Sequence, residues 1–286
     1  MYPNIFLSSS CIKSRNIIEA VDRLSTITKN IELSGGSTYD DRLLEGLIKI
    51  QQEKSIRFLI HGYFPPPKEH FILNFADTSP RTRDFIRQSI KYADALGVNY
   101  YSIHSGFSRD FNFKNEILID TGKDIRYSPD GMMQNISWFH SEFPGTGLAV
   151  ENLFPNGGNA ECCFLMHIND IVSFLDKTED VSLLLDLGHL QVSARFFGFG
   201  FKEAAELILE NYTRKILEIH LSENTGSFDD HLLISEKSLQ LEILRRHRDK
   251  ILKNKINITI EARDCPIEEL EKCYNFVCEK LYNLTG

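Results

Sequence analysis

Short apolar runs recur along the whole chain, and between them hydrophobic positions repeat with a helical period. The runs NIFLS (4–8), NIELS (30–34), RFLIH (57–61), NYYSIH (99–104), GLAVEN (147–152), SLLLDL (182–187), LEIHLS (217–222) and INITIE (256–261) show little polar alternation. That is the pattern of strands buried on both faces. Residues 14–28, 40–54, 79–96, 168–177, 201–212, 236–252 and 267–281 read as helices. In the first of these, Ile17, Ile18, Val21 and Leu24 share one face. Ser79-Pro80 fits a helix start, and Leu96-Gly97 a glycine stop before the fourth strand. Eight strands alternating with helices over 286 residues predict an α/β fold, a single-domain (β/α)8 TIM barrel spanning 1–286.

The spacing breaks once. More than forty residues separate the fourth and fifth strands, and Phe107 to Gly131 reads as an irregular insertion. Loops of that length are uncommon unless functional or disordered. A lid or substrate-shaping loop at the barrel mouth is the expectation. A second irregular stretch, 62–80, is stiffened by Pro65, Pro66 and Pro67.

Six of the runs end in a group that can bind a metal: His61, His104, Glu151, Asp186, His220 and Glu261. Imidazoles and carboxylates are costly at the tip of a buried strand. In such a barrel, the C-terminal strand ends meet at one mouth, where catalytic residues gather. Glu151, Asp186, His220 and Glu261 end strands five to eight. Together they offer three carboxylates and one imidazole to a single divalent ion, with Mn, Co, Zn or Mg as candidates. Such an ion polarises a carbonyl. Glu151 and Glu261, facing each other across it, could move a proton on and off a carbon as a base–acid pair. The reaction expected first is therefore isomerisation or epimerisation of a sugar or sugar phosphate.

His61 and His104 precede the glycine-containing turns HGYF and HSGF, and are expected to line the substrate pocket. His189, three residues after Asp186, is a candidate for a substrate hydroxyl or a second metal. Asp229 and His231 are candidates for an additional metal. Glu32 could orient a metal-binding histidine. Arg263 could meet a phosphate or carboxylate of the substrate, and NGGN (156–159) is a turn that could lie against it.

The bulk numbers trim the options. A net charge of −8 argues against bulk nucleic-acid binding, whose usual footprint is a basic stripe. No run is long enough for a membrane span. Six cysteines without a CxxC pair or disulfide-like spacing fit a reducing cytoplasm. A homo-oligomer is left open.

The motifs VEN (150–152), DLGH (186–189), IHLSEN (219–224), DDHL (229–232) and the strand-end Glu261 resemble the xylose isomerase-like TIM-barrel superfamily. The resemblance runs over nearly the whole chain. One branch holds sugar isomerases and epimerases. There the resemblance implies one ion on Glu151, Asp186, His220 and Glu261, with both glutamates handling protons and His189 touching substrate. The other branch holds endonuclease IV-type zinc phosphodiesterases acting on abasic DNA. There it implies three zinc ions on His61, His104, Glu151, Asp186, His189, His220, Asp229, His231 and Glu261. The segment after the Asp-x-His of 229–231, LLISEKSLQ, lacks the glycine-rich stretch usual in the repair branch. Isomerase chemistry is thus the first expectation and the nuclease the alternative.

Overall fold

The computed structural model describes residues 4–109, 126–155 and 162–282, with the backbone of 111–114 and 117–120. All eight expected strands form: β1 (Ile5–Ser8), β2 (Asn30–Leu33), β3 (Arg57–Ile60), β4 (Tyr100–His104), β7 (Gly147–Glu151), β8 (Ser182–Asp186), β9 (Ile216–Leu221) and β10 (Asn257–Ile260). They make one parallel sheet in the order β3-β2-β1-β10-β9-β8-β7-β4. Its two ends meet through a parallel bridge between His61 and Ser102, where Gly62 N–H donates to Ser102 O at 2.8 Å. A nearly closed TIM barrel in a single domain results, as the alternating pattern predicts.

The helices pack outside. Ile17, Ala20, Val21 and Leu24 of α1 (Ile17–Leu24) are buried, and Asn16 caps it by accepting Glu19 N–H at 2.9 Å. α2 (Leu43–Lys54), α3 (Pro80–Leu96), α5 (Ile168–Lys177), α7 (Phe201–Asn211), α8 (Leu239–Lys253) and α9 (Ile267–Tyr282) follow the expected spans within a few residues. Pro80 opens α3, and Gly97 closes it with φ +68°. No described helix is long and apolar enough to cross a membrane.

Two helices escape the periodicity. The insertion is not wholly irregular: it carries an antiparallel hairpin, β5 (Phe111–Lys114) with β6 (Ile117–Asp120), and its last residues begin α4 (Pro129–Glu142). Gly131 lies so near Ala76 that an added Cβ would sit 2.2 Å from its carbonyl oxygen. Asn135 then donates to Phe75 O at 2.8 Å and Asp77 O at 3.0 Å. Met132, Ile136 and Phe139 form a buried stripe on this helix, and Asn135 adds its tertiary contacts on the same side. The lid expectation falls mostly on residues outside those described, and so does the NGGN turn. The other missed helix, α6 (Leu187–Phe197), starts directly at the tip of β8.

Candidate metal centre

The six strand-end groups converge at one end of the barrel, and five of them are buried. Glu151 is the hub. His61 Nε2 and His104 Nε2 each lie 3.3 Å from its Oε2. His189 Nδ1 lies 3.2 Å and His220 Nδ1 3.9 Å from its Oε1. His220 Nδ1 is also 3.1 Å from Glu261 Oε2 and 3.9 Å from Asp186 Oδ2. Donor atoms of His61, His104 and Glu151 fall within 4.8 Å of one another, as do those of Glu151, Asp186 and His220. A third group forms on Asp229, whose Oδ2 is 3.4 Å from His189 Nε2 and 2.7 Å from His231 Nε2.

Local structure aims each side chain. Asp186 ends β8 and caps α6: Oδ1 accepts His189 N–H at 2.6 Å, which leaves Oδ2 facing the site. The Asn152 side chain bonds both Asp186 N–H, at 2.9 Å, and Asp186 O, at 3.0 Å, and so ties β7 to β8 where the sheet ends. His231 adopts φ +48°, an uncommon conformation for a side-chain-bearing residue. Its Nδ1–H donates to Glu261 O at 2.8 Å, and its own carbonyl accepts Arg263 N–H at 2.9 Å.

Four histidines follow one rule. One ring nitrogen is held by a fixed partner and the other faces a carboxylate, although the held Nδ1 of His189 also lies 3.2 Å from Glu151 Oε1. Ser102 Oγ donates to Ile60 O and accepts His61 Nδ1–H at 3.0 Å, so Nε2 points inward. His189 Nδ1–H donates to Asn152 O at 2.8 Å, leaving Nε2 for Asp229. His231 Nδ1–H donates to Glu261 O, leaving Nε2. His220 Nε2 lies 2.9 Å from Glu32 Oε2, and Nδ1 lies 3.1 Å from Glu261 Oε2. Partners of this kind fix the tautomer and orientation of metal-binding imidazoles.

The donor set fits cations. Both Glu151 oxygens, Asp186 Oδ2 and Asp229 Oδ1 are buried with no hydrogen bond. Buried anionic oxygens without donors are costly, and a metal ion is a standard compensation. Two ligands about 2.0–2.2 Å from a tetrahedral ion lie roughly 3.3–3.6 Å apart. The His61–Glu151, His104–Glu151 and His189–Asp229 separations of 3.3, 3.3 and 3.4 Å match that spacing. His231 Nε2 and Asp229 Oδ2, 2.7 Å apart, would have to separate by about half an ångström to share an ion.

Electrostatics divide these groups. Burial pushes Asp186 up to about 7; His189 opposes the shift, and Glu151 and Asp229 reinforce it. Burial pushes His61 down to about 4, so its inward nitrogen stays unprotonated at neutral pH. Burial also opposes charge on His220 and His189, but Glu32 and Glu261 around the first, and Asp186 and Asp229 around the second, raise both well above the ordinary imidazole value.

Of the expected site residues, Arg263 alone stays outside this cluster. Its side chain is exposed, and the interaction that ties it in is its backbone N–H to His231. Asn152, Ser102, Glu218 and Phe154 were not foreseen as part of the site. Phe154 lies 4.7 Å from the His189 ring. Ser102 and Glu218 each stand two residues before a strand-end histidine, on the same face of the strand. That spacing was the signal available for them.

The fold and this centre define the class. Residues 25–255 match the family described as xylose isomerase-like TIM barrel, and the chain belongs to it. It is 22% identical to an uncharacterized protein of Methanocaldococcus jannaschii, over 93% of this chain and 94% of that one. Among solved structures it resembles a D-tagatose 3-epimerase-like protein, with TM-score 0.69, 18% identity, and coverage of 97% of this chain and 99% of that chain. It also resembles endonuclease IV from Thermus thermophilus, with TM-score 0.59, 14% identity, and coverage of 97% and 100%. Sugar epimerases are the more numerous of such likenesses. At these identities the likeness establishes the fold alone.

Proposed function

We propose that this chain is a phosphodiesterase working through a cluster of divalent metal ions, with the endonuclease IV kind of activity. One observation carries the reading: each oxygen of Glu151 faces imidazole nitrogens without a hydrogen bond, His61 and His104 both 3.3 Å from one, His189 at 3.2 Å and His220 at 3.9 Å from the other. A carboxylate flanked in this way suits a bridge between ions. It is poorly placed to act as a free base on a carbon-bound proton.

Three groups of residues would hold the ions, with zinc the first candidate for this His-rich set. They are His61, His104 and Glu151; Glu151, Asp186, His220 and Glu261; and His189, Asp229 and His231. Bound there, the ions would supply Lewis-acid polarisation and charge neutralisation for phosphoryl transfer. The protein's own part is positional. Ser102, Asn152, Glu32 and the Glu261 carbonyl hold the four imidazoles in their tautomers. Half-exposed His104 marks the open side, where a phosphodiester would enter. Arg263, exposed beside the His231 loop, is a cation available to a second phosphate.

A second reading has its own support. Glu151 and Glu261 both approach His220 Nδ1, at 3.9 and 3.1 Å, so two carboxylates stand close enough to serve as the base–acid pair of an epimerase acting beside a carbonyl. One experiment separates the two. Zinc-loaded protein is incubated at low salt with a duplex containing an abasic-site analogue. In parallel, Mn- or Co-loaded protein is incubated with ketoses and their phosphates in deuterated water. Strand cleavage at the abasic site, abolished by chelation, is expected. Deuterium uptake at carbon without strand cleavage overturns the phosphodiesterase reading.

A further inference from the structure

Beneath the carboxylate–histidine cluster the barrel interior is polar. TIM-barrel interiors are usually filled by Val, Ile and Leu. Here Glu32 and Glu218 are both fully buried, and both face the same nitrogen of His220. Glu32 Oε2 lies 2.9 Å and Glu218 Oε1 3.7 Å from Nε2. Glu218 is itself engaged from below: Tyr100 Oη donates to Oε2 at 2.9 Å and Thr259 Oγ1 donates to Oε1 at 2.5 Å. Asn257 Nδ2 donates to Tyr100 Oη at 3.0 Å. The chain Asn257–Tyr100–Glu218 thus reaches from the lower part of the barrel to the underside of a candidate ligand.

We infer that Glu32 and Glu218 are positioning residues that lock His220 in its Nε2–H tautomer, so that Nδ1 is the nitrogen offered to metal. The inference rests on the metal-centre reading above. Four observations carry it. Glu32 Oε2 is at hydrogen-bond distance, too short to leave room for an ion between the two atoms. Nδ1 faces Glu261, Glu151 and Asp186 at 3.1, 3.9 and 3.9 Å, so flipping the ring would turn Nε2–H onto the ligand carboxylates. Tyr100 and Thr259 both donate, so Glu218 is kept as an acceptor and supplies His220 with no competing proton. Glu218 also stands two residues before His220 on the same strand, so β9 fixes their relative heights.

The test uses metal affinity and tautomer, neither of which needs a substrate. Zinc affinity is measured by competition with a chromophoric chelator for wild type, Glu32→Gln, Glu32→Leu and Glu218→Gln, with circular dichroism as the fold control. Glu32→Leu is expected to lose about 10–100-fold in affinity, the usual cost of removing such a partner. Glu32→Gln, whose amide oxygen still accepts the N–H, should recover most of the loss. Nitrogen-15 NMR of histidine-labelled, zinc-loaded wild type should report His220 as the Nε2–H tautomer. Affinity within twofold of wild type in Glu32→Leu, or an Nδ1–H tautomer, overturns the inference while leaving the metal reading intact. If Glu32→Leu fails to fold, the wild-type tautomer and the Glu32→Gln affinity still decide. A wild type that binds no metal overturns both readings.

Discussion

Asp186→Asn separates what Asp186 does for the fold from what it does for the site. An asparagine caps a helix about as well as an aspartate. The substitution therefore keeps an acceptor for His189 N–H at the start of α6. What it removes is a carboxylate charge in a fully buried position, one oxygen of which has no hydrogen bond. In the metal-free protein that charge is a liability. Burial pushes the carboxyl up to about 7, against an ordinary value of 3.8. A gap of about three pH units corresponds to about 4 kcal/mol.

The sign follows from linkage. An acid whose value is raised in the folded state is harmless below its unfolded value, and it destabilises progressively as pH rises toward the folded one. In chelator, Asp186→Asn should thus match wild type near pH 4. It should become the more stable protein between pH 4 and 7, with the full advantage above pH 7. With zinc the order should reverse, because ions that bind only the native state stabilise it, and the variant lacks a ligand. Urea denaturation at pH 4.5 and 8, with and without zinc, reads all four corners. A variant less stable than wild type at pH 8 in chelator would show that Asp186 serves folding first. The electrostatic account of the site would then fail.

Three further outcomes are expected. His104→Ala, at a half-exposed position, should lower the metal count per chain on elemental analysis and cut phosphodiester cleavage at least roughly 100-fold, beyond the usual effect of outer partners; an unchanged count and rate would remove His104 from the centre. Zinc binding at pH 7 should release protons, because carboxylates hold His189 and His220 above the ordinary imidazole value and ligation needs neutral nitrogen; binding heats that do not vary with buffer ionisation would contradict this, as would affinity that does not weaken below pH 6. Asn152→Ala should cost about 2–4 kcal/mol, since it strips partners from two buried backbone groups of Asp186; a urea midpoint within error of wild type would refute it.

How much was legible in the chain follows from what kind of force builds each part. The strands were plain because burial on both faces leaves an unbroken apolar run, as in SLLLD and GLAVE. The strand-end ligands were plain because a charged residue closing such a run has few structural reasons to be there. α6 was hidden because its first turn is also the site: DLGH reads as a motif, and Gly188 and His189 blur the helical period. α4 was hidden because Gly131 and Asn135, which serve contacts with residues 75–77, interrupt the short buried stripe of Met132, Ile136 and Phe139. The polar floor under His220 was half visible. LEIH places Glu218 on the histidine's face, but that Tyr100 and Thr259 meet it depends on strands far apart in sequence and on the barrel's closure.

The same division explains why fold likeness leaves the reaction undecided and the environment of Glu151 speaks to it. A barrel with these eight strand ends can present Glu151, Asp186, His220 and Glu261 whether it binds one ion or several. The difference lies in what else reaches Glu151. A proton-abstracting carboxylate needs an oxygen open to the substrate carbon, and its own basicity must survive its neighbours. Glu151 meets His61 and His104 at one oxygen and His189 and His220 at the other, and it is fully buried. Removing the imidazoles at Oε2 should then have opposite consequences under the two chemistries. In His61→Ala/His104→Ala, an epimerase base would be relieved of two neighbours and would keep its ion on Asp186, His220 and Glu261. A phosphodiesterase bridge would lose one of the ions it joins. Metal count and both assays on that double variant form a test in which each chemistry forecasts what the other forbids. The geometry around Glu151 forecasts a reduced count, lost strand cleavage and no gain in carbon–deuterium exchange.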